Sequence, residues 1–233
     1  MKTILATIAA LLIVSASVAG PSLKVRKVKT GTYDRIMVSG DFTVKLVEGT
    51  EGAIFIEGDR IDVNHLNVLT EGNILRIYPK KNFRDWCGDM KNLTVVVPVE
   101  NLEEIILAGT GKIVSEVALK ANRFKTQLSG SGEIAIEVQT NETEVFLSGS
   151  GKIKLSGSTG RLYSNINGDG DLQAYALQSA TTQATIIGSG VCEVNSTETL
   201  NAQIAGSGRI SYTGNPKIEQ QTIIGTGLIA ARQ

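Results

Sequence analysis

Leu128-Ser-Gly-Ser-Gly-Glu-Ile134 and Leu147-Ser-Gly-Ser-Gly-Lys-Ile153 are nearly the same seven residues written 19 positions apart. They belong to a series of seven Gly-Xaa-Gly steps with first glycines at Gly109, Gly130, Gly149, Gly168, Gly188, Gly206 and Gly225. The second glycines are Gly111, Gly132, Gly151, Gly170, Gly190, Gly208 and Gly227, and successive steps lie 21, 19, 19, 20, 18 and 19 residues apart. A period this regular means one structural unit copied along an axis.

The unit is a strand. Two residues before each first glycine stand Leu107, Leu128, Leu147, Ile166, Ile186, Ile204 and Ile223; four residues after it stand Ile113, Ile134, Ile153, Leu172, Cys192, Ile210 and Ile229. Between them, the middle residue of each step is Thr110, Ser131, Ser150, Asp169, Ser189, Ser207 or Thr226. Even positions are apolar and odd ones mostly polar, the two-residue alternation of a strand with one buried face. Both glycines fall on the buried parity. They serve either to supply positive φ at a corner or to leave room where another backbone passes close by. The middle residues form an outward ladder of hydroxyls.

Like residues recurring in columns are explained directly by a parallel β-solenoid with coils of about 19 residues, because each coil stacks on its own copy. An antiparallel meander has no reason to repeat identical residues at every second strand. The expected architecture is therefore all-β. An irregular β-rich part over residues 20–104, with an inserted loop at 80–92, precedes regular coils over residues 105–233. The varied second halves of the units, such as 122–127 and 179–183, read as outer loops.

Upstream, Arg35–Ser39, Phe42–Val47, Ala53–Glu57 and Ile74–Tyr78 are rich in β-branched residues and bounded by glycine turns. A short helical turn fits between Asp59 and Leu69. Leu93–Val97 reads as a strand that Pro98 ends or confines to an edge. The loop KKNFRDWCGDMKN, from Lys80 to Asn92, breaks the pattern and carries Phe83 and the sole tryptophan, Trp86. An aromatic among mixed charges on a loop suits contact with a sugar or a partner protein; packing of Phe83 and Trp86 onto the strands is the plainer reading.

These columns carry a resemblance. Ala108–Ile113 (AGTGKI), Ser129–Ile134 (SGSGEI), Ser148–Ile153 (SGSGKI), Asn167–Leu172 (NGDGDL) and Ala205–Ile210 (AGSGRI) resemble the recurring step of the putative auto-transporter adhesin head domain family, or head GIN domain. Tyr33-Asp-Arg-Ile36, Gly40-Asp-Phe-Thr-Val-Lys-Leu46, Asn73-Ile-Leu-Arg-Ile77 and Val95-Val-Val-Pro98 are similar to the family's lead-in. The resemblance spans roughly Val28 to Ile229. It implies a parallel β-helix-like domain of secreted bacterial proteins, and it alone brings the word adhesin.

The N-terminus has the layout of a secretory signal. Lys2 is a basic start, Ile4 to Val14 an apolar run, and Ser17-Val18-Ala19 places small residues before a cut at Gly20. Residues 1–19 are thus expected to be removed, with no lipoprotein cysteine near the cut and no later apolar run of the ~20 residues a membrane helix needs. The mature protein is expected to be periplasmic or secreted. With 23 basic and 23 acidic residues, the chain lacks the basic excess of a nucleic-acid binder. Cys87 lies in the polar loop and Cys192 at a core register, so two unpaired thiols are expected rather than a disulfide.

Chemistry is weakly signalled. His65 is the sole histidine, and the SGSG steps match a nucleophile elbow in letters only, since strands rather than a helix follow. The same absence of a helix rules out a phosphate-binding loop. Asp169 and Asp171 sit about 6 to 7 Å apart on one strand face. They form the one carboxylate pair that could serve sugar cleavage or calcium, although neighbouring repeats carry serine and lysine there. The expectation is a non-enzymatic module needing no cofactor or metal, which binds a glycan, a cell-envelope component or a surface protein. Candidate contacts are Phe83, Trp86, Ser131, Ser150, Ser189 and Ser207. A self-associating spacer that pairs through an uncapped C-terminal coil is the main rival, and a polysaccharide-active enzyme the lesser one.

Overall fold

The computed structural model describes residues 24–58, 62–80 and 90–232. It is a parallel β-solenoid of about seven coils. Long strands β9 (Lys112–Gly130), β10 (Glu133–Gly149), β11 (Lys152–Gly168), β12 (Asp171–Gly188) and β13 (Val191–Gly206) each trace almost a whole coil and pair with the next in parallel. The stack ends in β14 (Arg209–Thr213), β15 (Lys217–Gly225) and β16 (Leu228–Ala231). Parallel pairing puts each first glycine opposite the next: Gly109 on Gly130, Gly130 on Gly149, and so on to Gly206 on Gly225.

Both explanations for the glycines hold, close approach for both columns and positive φ for the first. First glycines have positive φ, from +108° at Gly149 to +134° at Gly206. Second glycines do not, but a Cβ on Gly151 would lie 2.6 Å from Leu128 Cδ2 and 2.8 Å from the Gly132 carbonyl oxygen. The first column turns the corner; the second lets the aliphatic column fold in beneath it. That aliphatic column runs Ile77, Val38, Leu107, Leu128, Leu147, Ile166, Ile186 and Ile204, each 2% exposed or less. Burial of each such side chain contributes roughly 1.5–3 kcal/mol.

The solenoid starts earlier than the glycine series indicates. Strands β2 (Arg35–Gly40) and β3 (Thr43–Glu48) form a coil through Gly40-Asp41-Phe42, a step whose second glycine is replaced by a buried phenylalanine. β8 (Glu104–Gly109) stacks on β2, and β9 stacks on β3 and β8. The intervening chain lays down one more coil outside. In it β6 (Ile74–Pro79) runs parallel to β2 and β7 (Thr94–Val99) parallel to β3. The hairpin partner β5 (Leu66–Glu71) pairs antiparallel with β6, β4 (Ala53–Gly58) with β7, and β1 (Lys24–Lys29) with β4. Pro98 lies within β7, beyond the residues that pair with β4. The expected helical turn is a 3-10 turn at Asp62–Asn64, and Leu66–Glu71, part of which was read with that turn, is strand.

The second halves of the coils are strand rather than outer loop, which corrects the reading of 122–127 and 179–183. Phe124, Thr126, Ser179 and Thr182 are all buried. The physical reason is an inner corner lined with hydroxyls, where Thr140, Thr159, Ser179 and Ser196 stack in one column. The Thr140 and Thr159 hydroxyls bond at 2.9 Å, Ser179 donates to the Asn195 carbonyl at 2.7 Å, and Ser196 donates to the Thr199 carbonyl at 2.7 Å. Buried polar side chains that satisfy a corner's backbone read in sequence as loop.

The two longer coils take up their extra residues at one place. Between Val114 and Ala118, β9 carries three residues opposite the single Ile136, and β12 carries Ala174 and Tyr175 opposite the single Leu155. These two bulges account for the 21- and 20-residue spacings.

Two outcomes test this packing. Gly52 has φ +119° with nothing within 4 Å of an added Cβ, whereas Gly130 combines φ +120° with the Gly109 carbonyl oxygen at 2.5 Å. Urea unfolding is expected to show Gly52→Ala costing ~1 kcal/mol for the backbone alone and Gly130→Ala well above it; equal losses would mean that close coil contact does not matter. The buried Thr126 hydroxyl has no hydrogen-bond partner and stacks between Ile105 and Val145. Thr126→Val should therefore raise stability by about 1 kcal/mol.

Candidate surface site along the glycine corner

The middle residues of the glycine steps form an open ribbon. Thr110, Ser131, Ser150, Asp169, Ser189, Ser207 and Thr226 are all exposed, one rung of 4.7–4.9 Å apart in a stacked sheet. The Ser131 and Ser150 hydroxyls lie 3.1 Å apart, and Ser189 donates to the Asp169 carboxylate. Their backbone amides are spent on the preceding coil: Ser131 N–H donates to the Gly109 carbonyl and Ser150 N–H to that of Gly130, both at 3.1 Å. The hydroxyls are thus fixed in a row and left facing water.

The two ends of the aromatic loop reach the same corner. β6 enters it beside β2 and β7 leaves it beside β3, so Lys80 and Leu93 flank it in the outer coil. At its base Lys80 N–H donates to the His65 carbonyl at 2.9 Å, and Met90 and Leu93 are fully buried. Phe83, Trp86 and Cys87 themselves lie outside the described residues. Sequence reasoning treated the loop and the serine ladder as separate features; the parallel pairing of β6 with β2 and β7 with β3 brings the base of the loop to the ladder's edge of the solenoid.

The carboxylate pair is divided between two surroundings. Asp169 is engaged by Ser189, while Asp171 accepts a hydrogen bond from Gln173 Nε2 at 2.9 Å and pairs with Lys152 at 3.4 Å. Among the described residues no three His, Cys, Asp or Glu side chains come together as a metal site. His65 is half-buried between the 3-10 turn and β5. Cys192 is a free, fully buried thiol in the aliphatic column, and burial pushes it up to about 12.

Beyond the ribbon the coil face carries an ion-pair ladder. Glu133 is held by Lys112 and Lys154, each at 3.2 Å, on neighbouring coils. Partial burial alone raises its carboxyl, but hydrogen bonds and charge from Lys154 and Lys112 outweigh this and hold it below its ordinary value of 4.5. Further round the same face, the bulges of β9 and β12 wall a groove of about 530 Å³ over Ile136 and Leu155, with Glu137, Lys154, Tyr175 and Glu193 on its rim. Arg232 lies over the Tyr175 ring, 4.5 Å from its centroid. The groove's position was written in the spacings, two 19-residue coils between longer ones, but was not read from them.

Fold and surface define a parallel β-solenoid with filled aliphatic columns and an open polar edge. The chain belongs to the family described as putative auto-transporter adhesin, head GIN domain, whose model matches residues 32–216. Solved structures share the fold. A protein from Bacteroides fragilis described as a putative adhesin is 23% identical, with 91% of this chain and 99% of that chain covered and a TM-score of 0.84. A protein from Parabacteroides distasonis described as a putative lipid binding protein is 24% identical, with 91% and 97% covered and a TM-score of 0.73. A comparison with curated proteins finds no similar sequence. Among the described residues no helix is long and apolar enough to cross a membrane.

Because the Glu133 carboxyl is depressed in the fold, its contribution to stability is present above the unfolded value near 4.5 and lost as pH falls through the lower, folded one. Melting temperatures of wild type and Glu133→Gln should differ at pH 7 and converge at pH 3. A gap that is independent of pH would mean that Glu133 acts by packing alone.

Proposed function

We propose that this chain is an extracytoplasmic, non-enzymatic, adhesin-like interaction module that binds a glycan or cell-envelope component through its glycine corner. The observation that carries the reading is the shared edge: an exposed ribbon of hydroxyls, with the base of the Phe83 and Trp86 loop at its N-terminal end. Solenoids present long, regular faces suited to extended partners, and membership of an adhesin-named family agrees with that use. The signal-like residues 1–19 support export, with Gly20 as the first residue of the mature chain.

A second reading, self-association, has its own observation. The last coil exposes Ile218, Ile223, Ile224 and Leu228, with Ile224 70% exposed. At the opposite end the edge strand β1 carries Lys24, Arg26, Lys27 and Lys29, the charge that keeps a sheet edge from pairing.

The full chain should bind cell-envelope fragments in a pull-down. Trp86→Ala, and Ser131→Arg with Ser150→Arg, should each weaken binding about tenfold at unchanged melting temperature; full binding by both variants would sink the corner as the site. For the second reading, light scattering should show concentration-dependent dimers that Ile224→Lys abolishes. Monomers at all concentrations would retire it.

A further inference from the structure

In the later coils the two halves carry different outward chemistry on the same backbone. The half that follows the glycine step is charged and ion-paired, through Lys112, Glu133, Lys152, Lys154 and Asp171. The half that leads into the step is ion-paired from β8 to β11, through Lys125 with Glu104 and through Arg123 and Arg161 with Glu142. From β11 to β15, beyond the column of Arg161, Thr181, Thr199 and Lys217, its three outward columns nearest the step are different: Tyr163, Gln183, Asn201 and Gln220; Asn165, Thr185, Gln203 and Thr222; Asn167, Ile187, Ala205 and Ile224. These twelve positions hold no Asp, Glu, Lys or Arg, and six of them are amides. The fold does not impose this neutrality, because the other half of the same coils carries charge.

Three of these amides are not spent on holding the coils together. Asn141 and Asn122 form a structural ladder elsewhere, with a hydrogen bond of 2.8 Å between their side chains. Asn165, Asn167 and Gln183, by contrast, are exposed and make no side-chain hydrogen bond among the described residues. Two exposed aromatics stand at the start of the neutral face, Phe146 at 40% and Tyr163 at 36%. Lys125 Nζ lies 5.4 Å from the Phe146 centroid, and a depression of about 330 Å³ runs past Phe146 to Asn165 and Asn167.

We propose that this uncharged face, from Tyr163 across Asn165, Gln183 and Gln203, with Phe146 at its border, binds a neutral polysaccharide chain. Unspent amides offer both donor and acceptor to sugar hydroxyls, and exposed aromatic rings cover the C–H faces of pyranoses. Ladder rungs 4.7–4.9 Å apart repeat those groups at a step close to the length of one sugar in an extended chain. The three columns themselves give an anionic polymer or a phosphate-bearing surface no counter-ion, and Arg161 at their flank is paired with Glu142, so the occupant is neutral. The proposal goes beyond the glycine-corner reading and uses residues distinct from it.

Affinity electrophoresis of the full mature chain tests it, in gels containing mannan, β-glucan or xylan, with alginate as the acidic comparison. Retardation by at least one neutral polymer and none by alginate is expected. Tyr163→Ala and the pair Gln183→Ala with Gln203→Ala should each lower affinity about tenfold, the loss of one good hydrogen bond or stacking contact. These side chains are on the surface, and unchanged melting temperatures would confirm that the variants fold. No retardation by any neutral polymer overturns the proposal, as does retardation that these variants leave intact or that Tyr175→Ala, in the groove, abolishes instead. Envelope binding that persists when the polysaccharide gels are negative would remove this face and leave the glycine-corner reading standing.

Discussion

Successive coils touch backbone to backbone at the glycine corner, and no side chain fits between them. A Cβ at Gly206 would sit 2.2 Å from the carbonyl oxygen of Gly188, and at Gly225 2.3 Å from that of Gly206. This contact fixes the register of every coil on its neighbour, since a shift by one residue would drive the bulky Leu or Ile two positions earlier off the buried face. The aliphatic columns, the hydroxyl row outside and the ion-pair ladder all inherit their alignment from it. The opposite corner is held by different chemistry, the buried Thr and Ser hydroxyls that bond to one another and to turn carbonyls.

A fold aligned in this way separates stability from recognition. Inward positions are nearly uniform because each must match the coil above and below. Outward positions are free to differ, and they do: hydroxyls along the edge, alternating charges over the half after each step and over the earlier coils of the half before it, amides in the later coils. Surface ion pairs such as Lys112–Glu133 contribute little to stability in water, about 0–1 kcal/mol each, so their place on the solenoid is set more by solubility than by folding.

Much of this was legible in the residue order. The Leu/Ile columns and the paired glycines specify a parallel stack, because nothing else rewards identity at every nineteenth residue. What escaped was of three kinds. Thr140, Thr159, Ser179 and Ser196 sit on the inward parity but are polar, so composition read them as loop. The coil built on Gly40 was hidden because Phe42 replaces its second glycine and an excursion of some 60 residues, which builds the capping strands, precedes the next step. The shared edge of the aromatic loop's base and the serine ribbon depends on β6 and β7 running parallel to β2 and β3, a long-range pairing that no local pattern announces.

The inequality of the coils bears on how the chain finds its fold. A stack of identical units has a degenerate alternative: each coil could dock one full period out of place, burying the same columns and bonding the same carbonyls. The extra residues of β9 opposite Ile136 and of β12 opposite Leu155, and the single thiol of Cys192 among leucines and isoleucines, remove that degeneracy. A coil displaced by one period would set a bulge against a strand with no matching gap. Small departures from the repeat thus act as keys, and they distinguish one correct order of stacking from several that a perfect repeat would leave equal in energy.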